Sequence, residues 1–127
     1  MPTDDVIPLS LVPRLVVRDP DAAADLLRAA LGAEVHGRFT MPDGTVTNID
    51  VTVGEATLSL TSEVPAWGLR GPEEAGGSPV LLRLTVPDAR RARDAMVRAG
   101  GEEIVPVEDR HYGRCEGRVR DPSGPLW

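Results

Sequence analysis

The chain carries one pattern twice, sixty-nine positions apart. Leu15-Val16-Val17-Arg18-Asp19 opens a segment that runs through Ala23, Asp25, Ala30, Gly32 and Glu34. Leu84-Thr85-Val86-Pro87-Asp88 opens a second, through Ala92, Asp94, Ala99, Gly101 and Glu103, and Gly44 and Gly113 prolong the same offset. An internal repeat of this length means one supersecondary unit built twice. A unit of about sixty residues buries little surface alone, so the two are expected to pack on each other or on a second chain. A cleft walled by both is the first place to expect function.

The length of 127 residues fits a single domain, 1–127, with modules at about 9–62 and 78–127 joined by a linker over 63–77. Phe39, Trp67, Tyr112 and Trp127 are the only aromatics, so the core must be Val, Leu and Ala. The net charge of −6 argues against nucleic acid as a partner and mildly favours neutral or cationic ligands. Cys115 is the only cysteine, which excludes an intrachain disulfide and a thiolate zinc cluster. Residues 1–8 lack the basic, apolar pattern of a signal peptide, and no apolar run is long enough to span a bilayer. A cytoplasmic location with no membrane partner is the expectation.

Residues 11–18 are apolar and β-branched and read as a buried strand. Asp19 is a helix cap, Pro20 suits the first helical position, and Ala23, Leu26, Leu27, Ala30 and Leu31 form one apolar stripe ended by Gly32. Strands are expected over 33–40, 45–53 and 56–61, with a Pro42-Asp43-Gly44 turn between the first two. After the Gly-, Pro- and Glu-rich connector comes a strand over 79–86. Asp88 caps a helix whose stripe is Ala89, Ala92, Met96 and Ala99. Strands over 103–107 and 114–120 follow, then an Asp121-Pro122-Ser123-Gly124 turn and the start of a last strand at 125–127. The fold class is α+β, two β-α-β-β-β modules, the second with its final strand cut short.

Paired β-α-β-β-β modules with an Asp before each helix resemble the vicinal oxygen chelate superfamily, the glyoxalase, bleomycin-resistance and extradiol-dioxygenase group. Five segments in order carry the likeness, and they look most like its PhnB-like branch. They are Leu15 to Asp19, Ala29 to Ala33, Met41 to Gly44, Pro106 to Arg114, and Asp121 to Trp127. The resemblance implies a mixed sheet curled around a cleft. In catalytic members a divalent metal sits there, held by His on the first strand and Glu on the last strand of each module. Carried over, the first-strand positions fall at Val12 or Pro13 and at Leu81 or Arg83; one last-strand position falls near Ser59 and the other just beyond Trp127. None of the named residues is a His, Glu or Asp, so no metal site and no cofactor are expected.

Other chemistry is sparse. His36 and His111 are not spaced as a ligand pair, and Ser123, His111 and Asp121 lack a nucleophile elbow. Cys115 reads as a packed strand residue. Trp67, Tyr112 and Trp127 fall where the resemblance places cleft walls, and aromatic walls suit flat ligands. Equally, Trp127 could plug core, Trp67 cover a loop and Tyr112 fix a turn. Arg83, Arg114 and Arg118 could reach the same cleft and bind an acidic or oxygen-rich group. Strand parity puts Arg114, Glu116, Arg118 and Arg120 on one face, either solvent or polar cleft.

The expected function is that of a metal-free protein of the glyoxalase/bleomycin-resistance type. It would bind a small hydrophobic or aromatic compound, an antibiotic being one such ligand, as a homodimer. The alternative is a divalent-metal-dependent lyase, isomerase or dioxygenase using His36, His111 and Glu116. A third reading is a structural dimer scaffold, with the cleft filled by its own side chains.

Overall fold

The computed structural model describes residues 6–127. Strand β1 (Arg14–Val17) leads into helix α1 (Pro20–Leu31), then β2 (Glu34–Thr40), β3 (Val46–Val53) and β4 (Ala56–Ser62). A 3-10 turn (Pro65–Trp67) and a short helix α2 (Pro72–Ala75) form the connector. Helix α3 (Ala89–Arg98) and strands β5 (Glu102–Asp109) and β6 (Cys115–Arg120) complete the chain. No described helix is long and apolar enough to cross a membrane.

Both long helices start by the same device at the repeat offset. The Asp19 carboxylate accepts from the Ala22 backbone N–H at 3.1 Å, and the Asp88 carboxylate from that of Arg91 at 3.1 Å. Each cap satisfies a donor that the first helical turn leaves without an intrahelical partner. Gly32 ends α1 in the left-handed conformation, φ 67°, which a side chain would strain.

The first sheet has strand order β1-β4-β3-β2, with β1 and β4 parallel and the rest antiparallel. Val17, Ile49, Val51, Leu58 and Leu60 on one face meet Ala23, Ala24 and Leu27 of α1. This apolar cluster is the main core, and Leu84 and Trp127 from the second half pack against it. In the second half only Met96 and Val119 join the buried apolar set.

The second half repeats the first in outline. Leu81 bridges Leu126 in parallel, as β1 pairs with β4, and Leu126 bridges Arg120 of β6 in turn. The spatial order 81–126–β6–β5 therefore matches β1-β4-β3-β2. Even the irregularity recurs: the β2–β3 register slips between Val35 and Gly37, and the β5–β6 register between Glu103 and Val105.

Two expectations need correction. The first strand starts at Arg14, because residues 6–13 run outside any ladder and Leu9 and Leu11 face solvent. Residues 79–86 form no strand: only Leu81 bridges, and Leu82 donates to the Leu126 carbonyl at 2.9 Å. A strand needs a partner along its length, and among the described residues only Leu126 pairs with this segment. The expected α+β class with a mixed sheet is present: a four-stranded sheet and a two-stranded one, not closed into a barrel.

Candidate functional site

Where residues 83–86 part from β6, a cavity of about 1010 Å³ opens between that segment, α3 and β6. In the first module β4 fills the corresponding place between β1 and β3. The floor is apolar, from Met96 and Ala92 on the inner side of α3 and Leu84 and Val119 facing them. Because the cavity lies along the edge of β6, both faces of that strand border it. Cys115 and Gly117 line it together with Arg114, Glu116 and Arg118.

Five of the six residues expected to bind ligand meet here: Arg83, Tyr112, Arg114, Arg118 and Trp127. The sixth, Trp67, sits on the 3-10 turn, 67% exposed, and is absent from the lining. Trp127 answers to both of its expected roles: it packs on the core and borders the cavity. Arg120, expected on the same face as Arg118, pairs with Glu102 at 3.8 Å and lies outside the lining.

The electrostatics are uneven. Arg93 also borders the cavity, but Asp94 at 2.6 Å and Glu103 at 2.9 Å neutralise it. Arg83, Arg114 and Arg118 make no ion pair among the described residues. Tyr112 donates its hydroxyl to the Glu116 carboxylate, which holds the phenol protonated above its ordinary range. Arg110 staples the hairpin beneath, donating to the Glu108 carboxylate at 2.8 Å and the Glu116 carbonyl at 2.9 Å.

Trp127 is held by Asp121, which the sequence placed in a turn and in an unsupported Ser-His-Asp grouping. Asp121 is 4% exposed. Its carboxylate accepts from Trp127 Nε1 at 2.7 Å and from the Ser123 backbone N–H at 2.7 Å. The Trp127 and Val119 backbones exchange hydrogen bonds of 2.8 and 2.9 Å. Burial pushes the Asp121 carboxyl above its usual value, against the opposing pull of its hydrogen bonds. The spacing Asp-Pro-x-Gly-x-x-Trp contained the signal, but nothing in it said that Asp and Trp touch.

The rival chemistries do not assemble. Asp121 engages Ser123 and Trp127, while His111 lies edge-on to Tyr112 with ring centroids 5.0 Å apart, so no Ser-His-Asp relay forms. His36 belongs to β2 in the first sheet and hydrogen-bonds Thr52 Oγ1 at 2.8 Å. Among the described residues no three His, Cys, Asp or Glu side chains converge. At the carried-over positions within the chain where the resemblance puts metal ligands stand Val12 or Pro13, Leu81 or Arg83, and Ser59. Ser59 spends its hydroxyl on Asp50, and a guanidinium repels a cation. None of these residues is a His or a carboxylate.

The sequence signature of the Glyoxalase/Bleomycin resistance protein/Dioxygenase superfamily matches residues 10–127. An uncharacterised protein of Mycobacterium bovis, Mb0911c, is 33% identical over 121 residues, covering 93% of this chain and 80% of that one. Among solved structures, protein PA1353 from Pseudomonas aeruginosa superposes with a TM-score of 0.77 at 20% identity, over 94% of this chain and 95% of that chain. The fosfomycin resistance protein FosX from Mesorhizobium loti superposes at 0.68 and 14% identity, over 95% and 89%. At such identities the superpositions are likenesses of fold.

Proposed function

Since the chain belongs to the glyoxalase/bleomycin resistance/dioxygenase superfamily, we propose that it is a small-molecule-binding protein that sequesters its ligand without metal chemistry. The cavity between residues 83–86, α3 and β6 is the observation that carries the reading. Its volume of about 1010 Å³ suits a drug-sized compound. Apolar Met96 and Leu84, aromatic Tyr112 and Trp127, and three arginines without an ion pair among the described residues favour a flat, apolar ligand bearing an acidic or oxygen-rich group. An antibiotic of that build falls in this class, and a fosfomycin resistance protein shares the fold. The thin core of the second half favours a homodimer as the working form.

Calorimetric titration with a panel of flat natural products carrying carboxylate or phenol groups tests this. At least one is expected to bind, and Arg118→Ala to weaken it about tenfold or more, the loss of one charged hydrogen bond. No binder across the panel, or Arg118→Ala without effect on the binder found, defeats the proposal. Near-stoichiometric divalent metal in protein purified without chelator would replace it with a metal-dependent lyase, isomerase or dioxygenase.

A further inference from the structure

We propose that the small pocket between the outer edge of β1, α2 and residues 77–82 is a second binding site, one for a small carboxylate with a compact apolar body. It shares only Leu82 with the cavity of the second half, so it does not rest on the function proposed for that cavity. No residue of β2, β3 or β4 lines it.

The walls follow from the position of β1, the end strand of its sheet and parallel to β4. The Pro13 carbonyl accepts from the Ser59 N–H at 2.9 Å, and the Val17 carbonyl from the Glu63 N–H at 3.2 Å. Backbone polar groups alternate sides along a strand, so Arg14 and Val16 turn theirs to the free edge. Such an edge is a liability unless something covers it. Here the connector does so in part. Gly71 comes close enough that a β-carbon there would stand 3.2 Å from the Val16 carbonyl oxygen. Arg18, just past the strand, pairs with Glu73 of α2 at 3.1 Å. On its far side α2 rests on the last turn: a β-carbon on Gly124 would stand 2.9 Å from Pro72 Cβ. The Ser78 hydroxyl donates to the Val80 carbonyl at 2.7 Å and fixes the remaining wall.

The space left between these walls is about 190 Å³. Leu15, Pro72, Ala75, Pro79, Val80 and Leu82 give it an apolar surround. An apolar cavity of about 150 Å³ is enough to hold benzene, so the body that fits is one ring or a short branched chain. The charged lining has one sign. Arg14 and Arg70 border the pocket and no Asp or Glu does, in a chain of net charge −6. Arg14 is engaged, its Nη2 donating to the Thr47 carbonyl at 3.0 Å. Arg70 makes no ion pair among the described residues. The Val16 N–H on the free edge adds a neutral donor. A guanidinium and a backbone N–H both call for an acceptor, and a carboxylate takes the guanidinium through two parallel hydrogen bonds. A few polar groups around an apolar pocket set the orientation of what enters it.

Titration of ¹⁵N-labelled protein with benzoate, with benzyl alcohol as the neutral body and with acetate as the bare charge, followed by amide shifts, tests the site. Benzoate is expected to shift the amides of residues 16, 70, 75, 77 and 80, and the other two to bind at least about tenfold more weakly. Arg70→Gln should weaken benzoate about tenfold or more, the loss of one charged hydrogen-bonding partner. Acetate or benzyl alcohol binding as tightly as benzoate, shifts confined to residues 114–119, or an unchanged affinity in Arg70→Gln would overturn the proposal. Should Arg70→Gln lose its folded spectrum, Ala75→Leu decides, because it puts a larger side chain into the pocket: lost benzoate shifts support the site, and undiminished binding overturns it.

Discussion

Replacing Asp121 with Ala is expected to remove on the order of 3–5 kcal/mol of unfolding free energy, read by urea denaturation. The side chain is almost fully buried and accepts from two donors, Trp127 Nε1 and the Ser123 N–H. Truncation leaves both donors unsatisfied, and each hydrogen bond to a charged group is worth about 1.5–3 kcal/mol. Trp127 would lose its anchor as well, so ligand binding in the cavity should fall in the same variant. Asp121→Asn keeps acceptor capacity and should cost less. A fall of under about 1 kcal/mol in Asp121→Ala would mean that the clasp contributes little.

The pH dependence separates Asp121 from the other carboxylates. Its folded pKa is raised, so the native state binds the proton more tightly than the unfolded chain. Its contribution is therefore present below the ordinary value of 3.8 and is lost as pH rises through the folded pKa. Asp21, Asp43, Asp50 and Glu103 are lowered instead: Arg38 beside Asp21, the Thr45 backbone N–H on Asp43, Asn48 and Ser59 on Asp50, and Arg93 on Glu103. Their contributions are present above 3.8 or 4.5 and vanish as pH falls through the folded values. The stability gap between the parent and Asp121→Asn should consequently widen from pH 7 toward pH 4. A gap that narrows on acidification would contradict the raised pKa.

Gly117→Ala is expected to loosen the second half while leaving the first intact. An added β-carbon would stand 2.6 Å from the Val105 carbonyl oxygen, 2.6 Å from Val107 Cγ2 and 2.8 Å from Val107 Cα. Two of these atoms are backbone, so a side-chain rotation cannot relieve the clash. The β5–β6 register slips between Val105 and Glu108, which brings this stretch of β5 against the glycine. Overpacking costs about 1–3 kcal/mol where side chains can adjust. Here β6 must move off β5, and only Met96 and Val119 are buried apolar anchors in that half. Hydrogen exchange should show faster amides in β5 and β6 with β3 and β4 still protected. Unchanged exchange in β6 would show that the hairpin accommodates the methyl.

Much of the first module was legible in the chain. The Asp19 and Asp88 caps, the apolar stripe of α1, the Asp43-Gly44 turn and the alternation of β3 are local patterns, and local patterns survive into the fold. The segment 79–86 was misread because its Val and Leu content satisfies a strand propensity that only a neighbouring strand can realise. The cavity residues were partly legible: parity groups Arg114 with Arg118, the resemblance points to Tyr112 and Trp127, and together with Arg83 they line one space. The resemblance places Trp67 along the cleft, but the 3-10 turn leaves it at the surface.

The repeat determined the architecture by itself: caps, helix stripes and strand order recur because equal local sequence makes equal local structure. The tertiary structure alone decided where the halves differ. In the first, β4 pairs along both neighbours and α1 seals an apolar face. In the second, only Leu81 bridges Leu126 along the 81–86 segment, and a cavity lies between that segment, α3 and β6. Hydrogen-bond partners distant in sequence set that difference, and no local pattern encodes whether such a partner is in place.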